Sequence, residues 1–181
     1  MSGRAQPIII IGFMAAGKTT VAAALAERLG CGLIDLDQFI EEQQGRSIRA
    51  IIDEEGEQKF RKIESAALSD ALKSHNSSVI ALGGGAWTIE RNRALINEHT
   101  QYTVWLDAPF DLCWRRIEDG INIRPLARQR AKAHKLYDER RPLYSQAGFR
   151  MTVNNSLSAQ AIAELIVTAL SLQSRRGNDK A

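Results

Sequence analysis

Gly12-Phe13-Met14-Ala15-Ala16-Gly17-Lys18-Thr19 is the stretch on which the fold turns. It matches GxxxxGK[ST], follows the apolar run Ile8–Ile11, and opens a helical pattern, Lys18–Leu29, that Gly30 is placed to stop. In that setting the glycines let backbone N–H groups wrap around phosphate oxygens. The helix N-terminus adds the positive end of its dipole, Lys18 reaches the β and γ phosphates, and Thr19 offers a hydroxyl to Mg²⁺. A Gly-rich strand-to-helix turn that binds nothing shares the composition but has no need of the lysine and threonine.

Outward from this loop the pattern repeats. The short apolar runs Leu33–Ile34, Val79–Leu82, Tyr102–Leu106 and Arg150–Val153 alternate with longer helical stretches. The helical stretches are Gln38–Gln44, Glu54–Lys73, Ile89–His99, Pro109–Glu118, Gln129–Gln146 and Ser158–Leu172. Nearly unbroken apolar strands indicate burial on both faces. The alternation predicts right-handed βαβ units and an α/β fold: a three-layer α/β/α sandwich around a mostly parallel sheet of about five strands. No internal repeat or Pro/Gly/Ser-rich linker divides the 181 residues, so one domain spans 1–181, with frayed ends at 1–6 and 174–181. In such sheets ligands bind beyond the carboxyl ends of the strands, so the residues just after each strand carry the functional question.

After the second run comes Asp35-Leu36-Asp37. One of the two carboxylates can face a metal and the other a substrate. Alternatively Asp35 is a turn residue and Asp37 the N-cap of the next helix. After the third run stand Gly83, Gly84 and Gly85, whose conformational entropy is best compensated by close approach to a ligand or another segment. Arg61 and Glu64 fall at i, i+3 on one helix face, a spacing that fits a solvated ion pair as well as a site pair.

The chain has 24 Lys and Arg against 21 Asp and Glu, a net +3 that names no partner. The charge is unevenly spread, however. Residues 115–150 hold ten basic and four acidic side chains, so this segment carries +6 and the remainder −3. The segment includes Asp119-Gly120-Ile121-Asn122-Ile123-Arg124-Pro125-Leu126, whose Gly, Asn and Pro predict a mobile loop, here bounded as a lid at about 117–133. Few aromatic side chains interleave with these cations, which argues for a clamp on small anions and against nucleic acid. Cys31 and Cys113 have neither redox nor metal-knuckle spacing, and His75, His99 and His134 are scattered, so a reducing cytoplasmic setting is expected. The apolar run Pro7–Ile11 is far below the ~18 residues of a membrane span.

Together these residues resemble the shikimate kinase family. The resemblance rests on the phosphate loop, Asp35-x-Asp37, Gly56-Glu57-Gln58-x-Phe60-Arg61 leading to Glu64, Gly83–Gly85, Arg124-Pro125-Leu126 and Arg140-x-Pro142-Leu143-Tyr144, in order, across residues 8 to about 170. It implies a P-loop kinase fold with a mobile lid and transfer of the ATP γ-phosphate to the 3-hydroxyl of shikimate.

By that resemblance ATP binds Gly12, Ala15, Ala16, Gly17, Lys18, Thr19 and Thr20, with Arg116 beside adenine and Arg124 reaching in from the lid. Mg²⁺ takes Thr19, with Asp35 acting through water. Asp37, Arg61, Gly83, Gly84, Gly85 and Arg140 hold shikimate, and Glu64 orients Arg61. Lys18, Asp37 and Arg124 carry the chemistry. The expected partners are ATP and shikimate alone, on a monomer, with neither nucleic acid nor membrane.

The chain also departs from the family pattern. Ala15 replaces a usual glycine, which strains the loop if that position needs φ > 0. Asn154 and Ala159 stand where an adenine-side loop commonly runs from Asp to Pro, Ala127 replaces a frequent leucine, and Trp87 is bulky. A gluconate-type hydroxy-acid kinase and a catalytically degenerate nucleotide-binding regulatory module are the alternatives.

Overall fold

The computed structural model describes residues 6–74, 78–119 and 130–178. Its strands are β1 (Ile8–Gly12), β2 (Gly32–Asp35), β3 (Ser78–Ala81), β4 (Thr103–Asp107) and β5 (Phe149–Thr152). The helices are α1 (Lys18–Leu29), α2 (Leu36–Gln44), α3 (Ile48–Glu55), α4 (Glu57–Ser74), α5 (Glu90–His99), α6 (Phe110–Glu118), α7 (Arg130–Tyr144) and α8 (Ala159–Asn178). All strand pairs are parallel, in the order β2-β3-β1-β4-β5. This is the α/β sandwich that the alternating pattern predicts.

β1 is flanked by β3 on one side and β4 on the other, so the sheet reverses its winding direction there. A crevice opens outside the carboxyl end of β1 for that reason, and the phosphate loop lies at its mouth. Ile9, Ile10 and Ile11 are buried in the centre, each contributing ~1.5–3 kcal/mol by leaving water. All of β4 is buried as well. The edge strands differ: β5 alternates between half-buried and exposed positions, and Leu33 of β2 is exposed. The expectation of doubly buried strands therefore holds for the centre of the sheet and fails at its edges, where one neighbour and part of the cover are absent.

One predicted helix is in fact two. Gly56 has φ 83° and ψ 162°, which breaks the stretch expected to be helical from Glu54 and frees α3 to run back to Ile48. Ser47 caps α3 by accepting from the Ala50 N–H, and Glu41 of α2 accepts from the Ile48 N–H at 2.9 Å. At the end of α1, Gly30 is left-handed (φ 62°), as a helix stop requires. At the carboxyl end α8 runs through Asn178. Gln6 is tied down, its side-chain oxygen facing the Gln101 N–H and the Thr100 hydroxyl.

Candidate active site

The phosphate loop is shaped by its unusual backbone angles. Gly12 (φ 149°) and Gly17 (φ 97°) occupy conformations that side chains disfavour, and a Cβ on Gly12 would stand 2.8 Å from the Leu106 carbonyl oxygen. Ala15 also has positive φ, 58°, alone among the described non-glycine residues. The strain anticipated for an alanine at that position is therefore present. Lys18 folds back and donates to the Phe13 carbonyl at 2.9 Å.

The Thr19 hydroxyl donates to Asp35 Oδ2 at 2.6 Å, and Asp35 Oδ1 accepts from the N–H groups of Asp37 and Gln38. Asp35, not Asp37, is thus the N-cap of α2, and Asp37 lies in the first turn. Extended backbone does not persist past Asp35, so one carboxylate caps a helix and the other belongs to its first turn. The two side chains still separate in role, because one is committed to Thr19 and the helix start.

A cleft of about 600 Å³ runs over this loop. Its wall includes Ala15, Ala16, Gly17, Lys18, Thr19 and Thr20, together with Asp35, Asp37 and Arg116. Val153, Leu157, Ala159 and Ile162 form its apolar side: the first three lie along the stretch where the resemblance places an adenine-side loop, and Ile162, inside the helix that follows, carried no such sign. Arg116 Nη1 donates to the Ala15 carbonyl at 3.2 Å, which holds the guanidinium at the cleft edge and braces the strained residue.

Arg61, Arg140 and Gly83–Gly85 lie outside that wall and gather on the other side of Asp37. Each of the three glycines faces a different side chain. A Cβ on Gly83 would be 2.5 Å from Asp37 Oδ1, one on Gly84 3.4 Å from Arg140 Nη1, and one on Gly85 2.5 Å from Arg61 Nη1. The run is glycine because two arginines and a carboxylate press directly on its backbone.

Arg61 donates to Glu64 Oε2 and Glu57 Oε1, both at 2.9 Å. Glu64 is 1% exposed, and burial pushes its carboxyl above the ordinary range, with Arg61 pulling it back and Asp37 adding to the rise. The i, i+3 pair is therefore a shielded one and not a solvated one. Glu57 is the partner that spacing alone left out, although i, i+4 geometry could have suggested it.

Much of the basic segment serves elsewhere. Asp107, buried at the end of β4, takes Arg141 and Arg150, and Arg130 pairs with Asp111 at 2.6 Å. Of its described arginines, Arg116 and Arg140 border the site. Arg124 and the central part of the expected lid, 120–129, fall outside the described residues. Trp87 does not enter the cleft; it is buried, and its indole N–H donates to the Leu143 carbonyl.

A phosphate loop at the reversal point of a parallel sheet, joined through one carboxylate to a pair of arginines suited to a small organic anion, defines a P-loop small-molecule kinase. The family model described as shikimate kinase matches residues 14–171. The chain belongs to the shikimate kinase family.

A shikimate kinase of Synechococcus sp. (strain CC9605) is 37% identical over 94% of this chain and 84% of its own length. The structure of shikimate kinase from Acinetobacter baumannii in complex with shikimate superposes with a TM-score of 0.85 at 32% identity, covering 93% of this chain and 94% of that one. A gluconokinase from Sinorhizobium meliloti 1021 aligns with a TM-score of 0.65 at 15% identity over 98% of both chains, a likeness of fold alone.

Proposed function

We propose that the chain transfers the γ-phosphate of ATP to the 3-hydroxyl of shikimate, giving shikimate 3-phosphate and ADP. The observation that carries this reading is the meeting, at Asp37, of a phosphate cleft with a carboxylate clamp built from Arg61 and Arg140. Shikimate presents one carboxylate and a set of ring hydroxyls, which matches a clamp and a carboxylate facing each other across glycine backbone.

In this reading Gly12, Ala15, Ala16, Gly17 and Thr20 hold the triphosphate through the loop. Lys18 leaves the Phe13 carbonyl to neutralise charge on the transferring group. Arg116 and the apolar side at Val153, Leu157 and Ile162 take the nucleobase. Arg61 and Arg140 grip the substrate carboxylate, and Gly83–Gly85 let the ring approach closely. Asp37 orients the 3-hydroxyl and accepts its proton as the oxygen bonds to phosphorus and the bond from phosphorus to the β-phosphate oxygen breaks. Arg124, from the lid, adds positive charge where negative charge develops and helps exclude water.

Thr19 and Asp35 suit Mg²⁺: both offer hard oxygen donors, and a threonine hydroxyl that donates its proton to Asp35 keeps lone pairs for a cation. When bound there the ion would neutralise the β and γ phosphates. All these residues come from one chain, so a monomer is the catalytic unit proposed. Both cysteines are free thiols, which suits a reaction in the reducing cytoplasm.

A coupled ADP-release assay tests the proposal. Shikimate should stimulate release strongly and gluconate should not. Stimulation by gluconate, or a rate indifferent to both, would refute it.

A further inference from the structure

We propose that Tyr144 is a positioning residue for the carboxylate clamp: its buried hydroxyl ties down the Gly84 carbonyl and so fixes the glycine backbone against which the Arg140 guanidinium rests. The inference rests on the shikimate kinase reading of the site.

Tyr144 ends α7 and lies one helical turn after Arg140, on the same face. It is 2% exposed, and its hydroxyl donates to the Gly84 carbonyl oxygen at 2.5 Å across 60 positions of sequence. The positive charge of Arg140 acts on the same hydroxyl, opposing part of the rise that burial causes. Burial pushes this phenol up to about 12, so it remains a donor throughout the neutral range. Arg140 Nη1 and the Met14 backbone nitrogen both crowd Gly84, 3.4 Å and 3.5 Å from where a Cβ would be.

The hydroxyl therefore sits at the joint between the phosphate loop, the glycine run and α7. Without it Gly84 loses the tie that holds it beside Arg140, and the spacing between Arg140 and Arg61, which faces the next glycine, is no longer fixed. A second tie reinforces the joint: the Trp87 indole N–H donates to the Leu143 carbonyl at 2.8 Å, again bridging the glycine run and the end of α7. The Trp105 ring, 6.3 Å from that of Tyr144, packs the phenol in place.

A buried tyrosine hydroxyl always needs some partner, so a purely structural role must be separated from this one. The separating property is the charge on the substrate. A hydroxyl that acts through Arg140 affects only substrates that carry the carboxylate; one that merely supports the fold affects all substrates alike.

The test compares the unsubstituted chain and Tyr144→Phe on shikimate and on its uncharged methyl ester, with ATP saturating. Tyr144→Phe should raise KM for shikimate about tenfold, the scale set by leaving the buried Gly84 carbonyl without its hydrogen bond. The kcat and the KM for ATP should change by less than about twofold, and kcat/KM for the ester should be unchanged. Trp87→Phe, which loosens the same joint without touching Arg140, should give a smaller loss confined to the same substrate, and it decides the matter if Tyr144→Phe folds poorly. An equal loss on acid and ester in both variants, or an unchanged KM for shikimate, would overturn the inference alone. Absence of shikimate turnover in the unsubstituted chain would overturn the functional reading, and this inference with it.

Discussion

Adding one methyl group at Gly83 or at Gly85 should damage two different kinetic parameters. A Cβ on Gly83 would lie 2.5 Å from Asp37 Oδ1 and 3.3 Å from Glu64 Oε1, whereas unstrained contact begins near about 3.5 Å. Asp37 sits on the first turn of α2 and Glu64 is buried, so neither side chain gives way easily, and the Asp37 carboxylate must retreat by about 1 Å. A misplacement of that size at a reacting group costs up to about 10²-fold in rate. Gly83→Ala should therefore lower kcat by about 10²-fold while shikimate still binds.

A Cβ on Gly85 meets Arg61 instead, with Nη1 at 2.5 Å, Nη2 at 2.7 Å and Cζ at 2.8 Å. The whole plane of the guanidinium is blocked, so Gly85→Ala should raise KM for shikimate by about tenfold or more with a smaller effect on kcat. Neither glycine has the positive φ that would make alanine strained by backbone alone. Steady-state kinetics on both variants, with thermal melts to confirm folding, provide the assay. Wild-type kinetics in both, or loss of the same parameter in both, would refute the assignment of one glycine to the nucleophile side and one to the carboxylate side.

Asp37→Asn should leave ATP binding intact and lower shikimate-dependent ADP release by about 10²–10⁴-fold, the usual worth of a positioned base; near-normal turnover would remove Asp37 from that role. Ala15→Gly should stabilise the protein by about 0.5–1 kcal/mol, because relief of a left-handed alanine (about 1–2 kcal/mol) exceeds the added flexibility of the unfolded chain (about 0.5–1 kcal/mol). Denaturant titration checks this, and a less stable variant would show that φ 58° carries no strain here. Glu64, whose carboxyl is raised chiefly by burial, binds its proton more tightly folded than unfolded. Its contribution to stability is then full below the ordinary carboxylate range and is lost as pH rises through the higher folded value. The stability difference between wild type and Glu64→Gln, followed from about pH 4 to about pH 7, should therefore shrink with rising pH, and a difference that grows would contradict the sign.

The phosphate loop was legible because a strand, a fixed motif and a helix follow in order, and Gly30 announced where the helix ends. The alternation of runs gave the parallel sheet for the same local reason. What escaped was set by tertiary contact. The break at Gly56 hid a helix, since α3 is capped by Ser47 and held by Glu41 from the preceding helix. The triple glycine signalled close approach, but only the fold shows that Asp37, Arg140 and Arg61 are what approach it. The charge surplus of residues 115–150 pointed at the site yet overstated its share, because Arg141 and Arg150 neutralise Asp107. The apolar side of the cleft falls along the expected adenine-side loop, but Ile162, inside the next helix, carries no local mark of contact with a ligand.

The central claim is that this site phosphorylates one particular hydroxyl of one carboxylated ring. The direct measurement is a proton–phosphorus correlation spectrum of the product formed from ATP and shikimate. Coupling of the new phosphorus to the proton on carbon 3 is the predicted result. Coupling to a proton on carbon 4 or 5, or inorganic phosphate as the sole new signal, would contradict it.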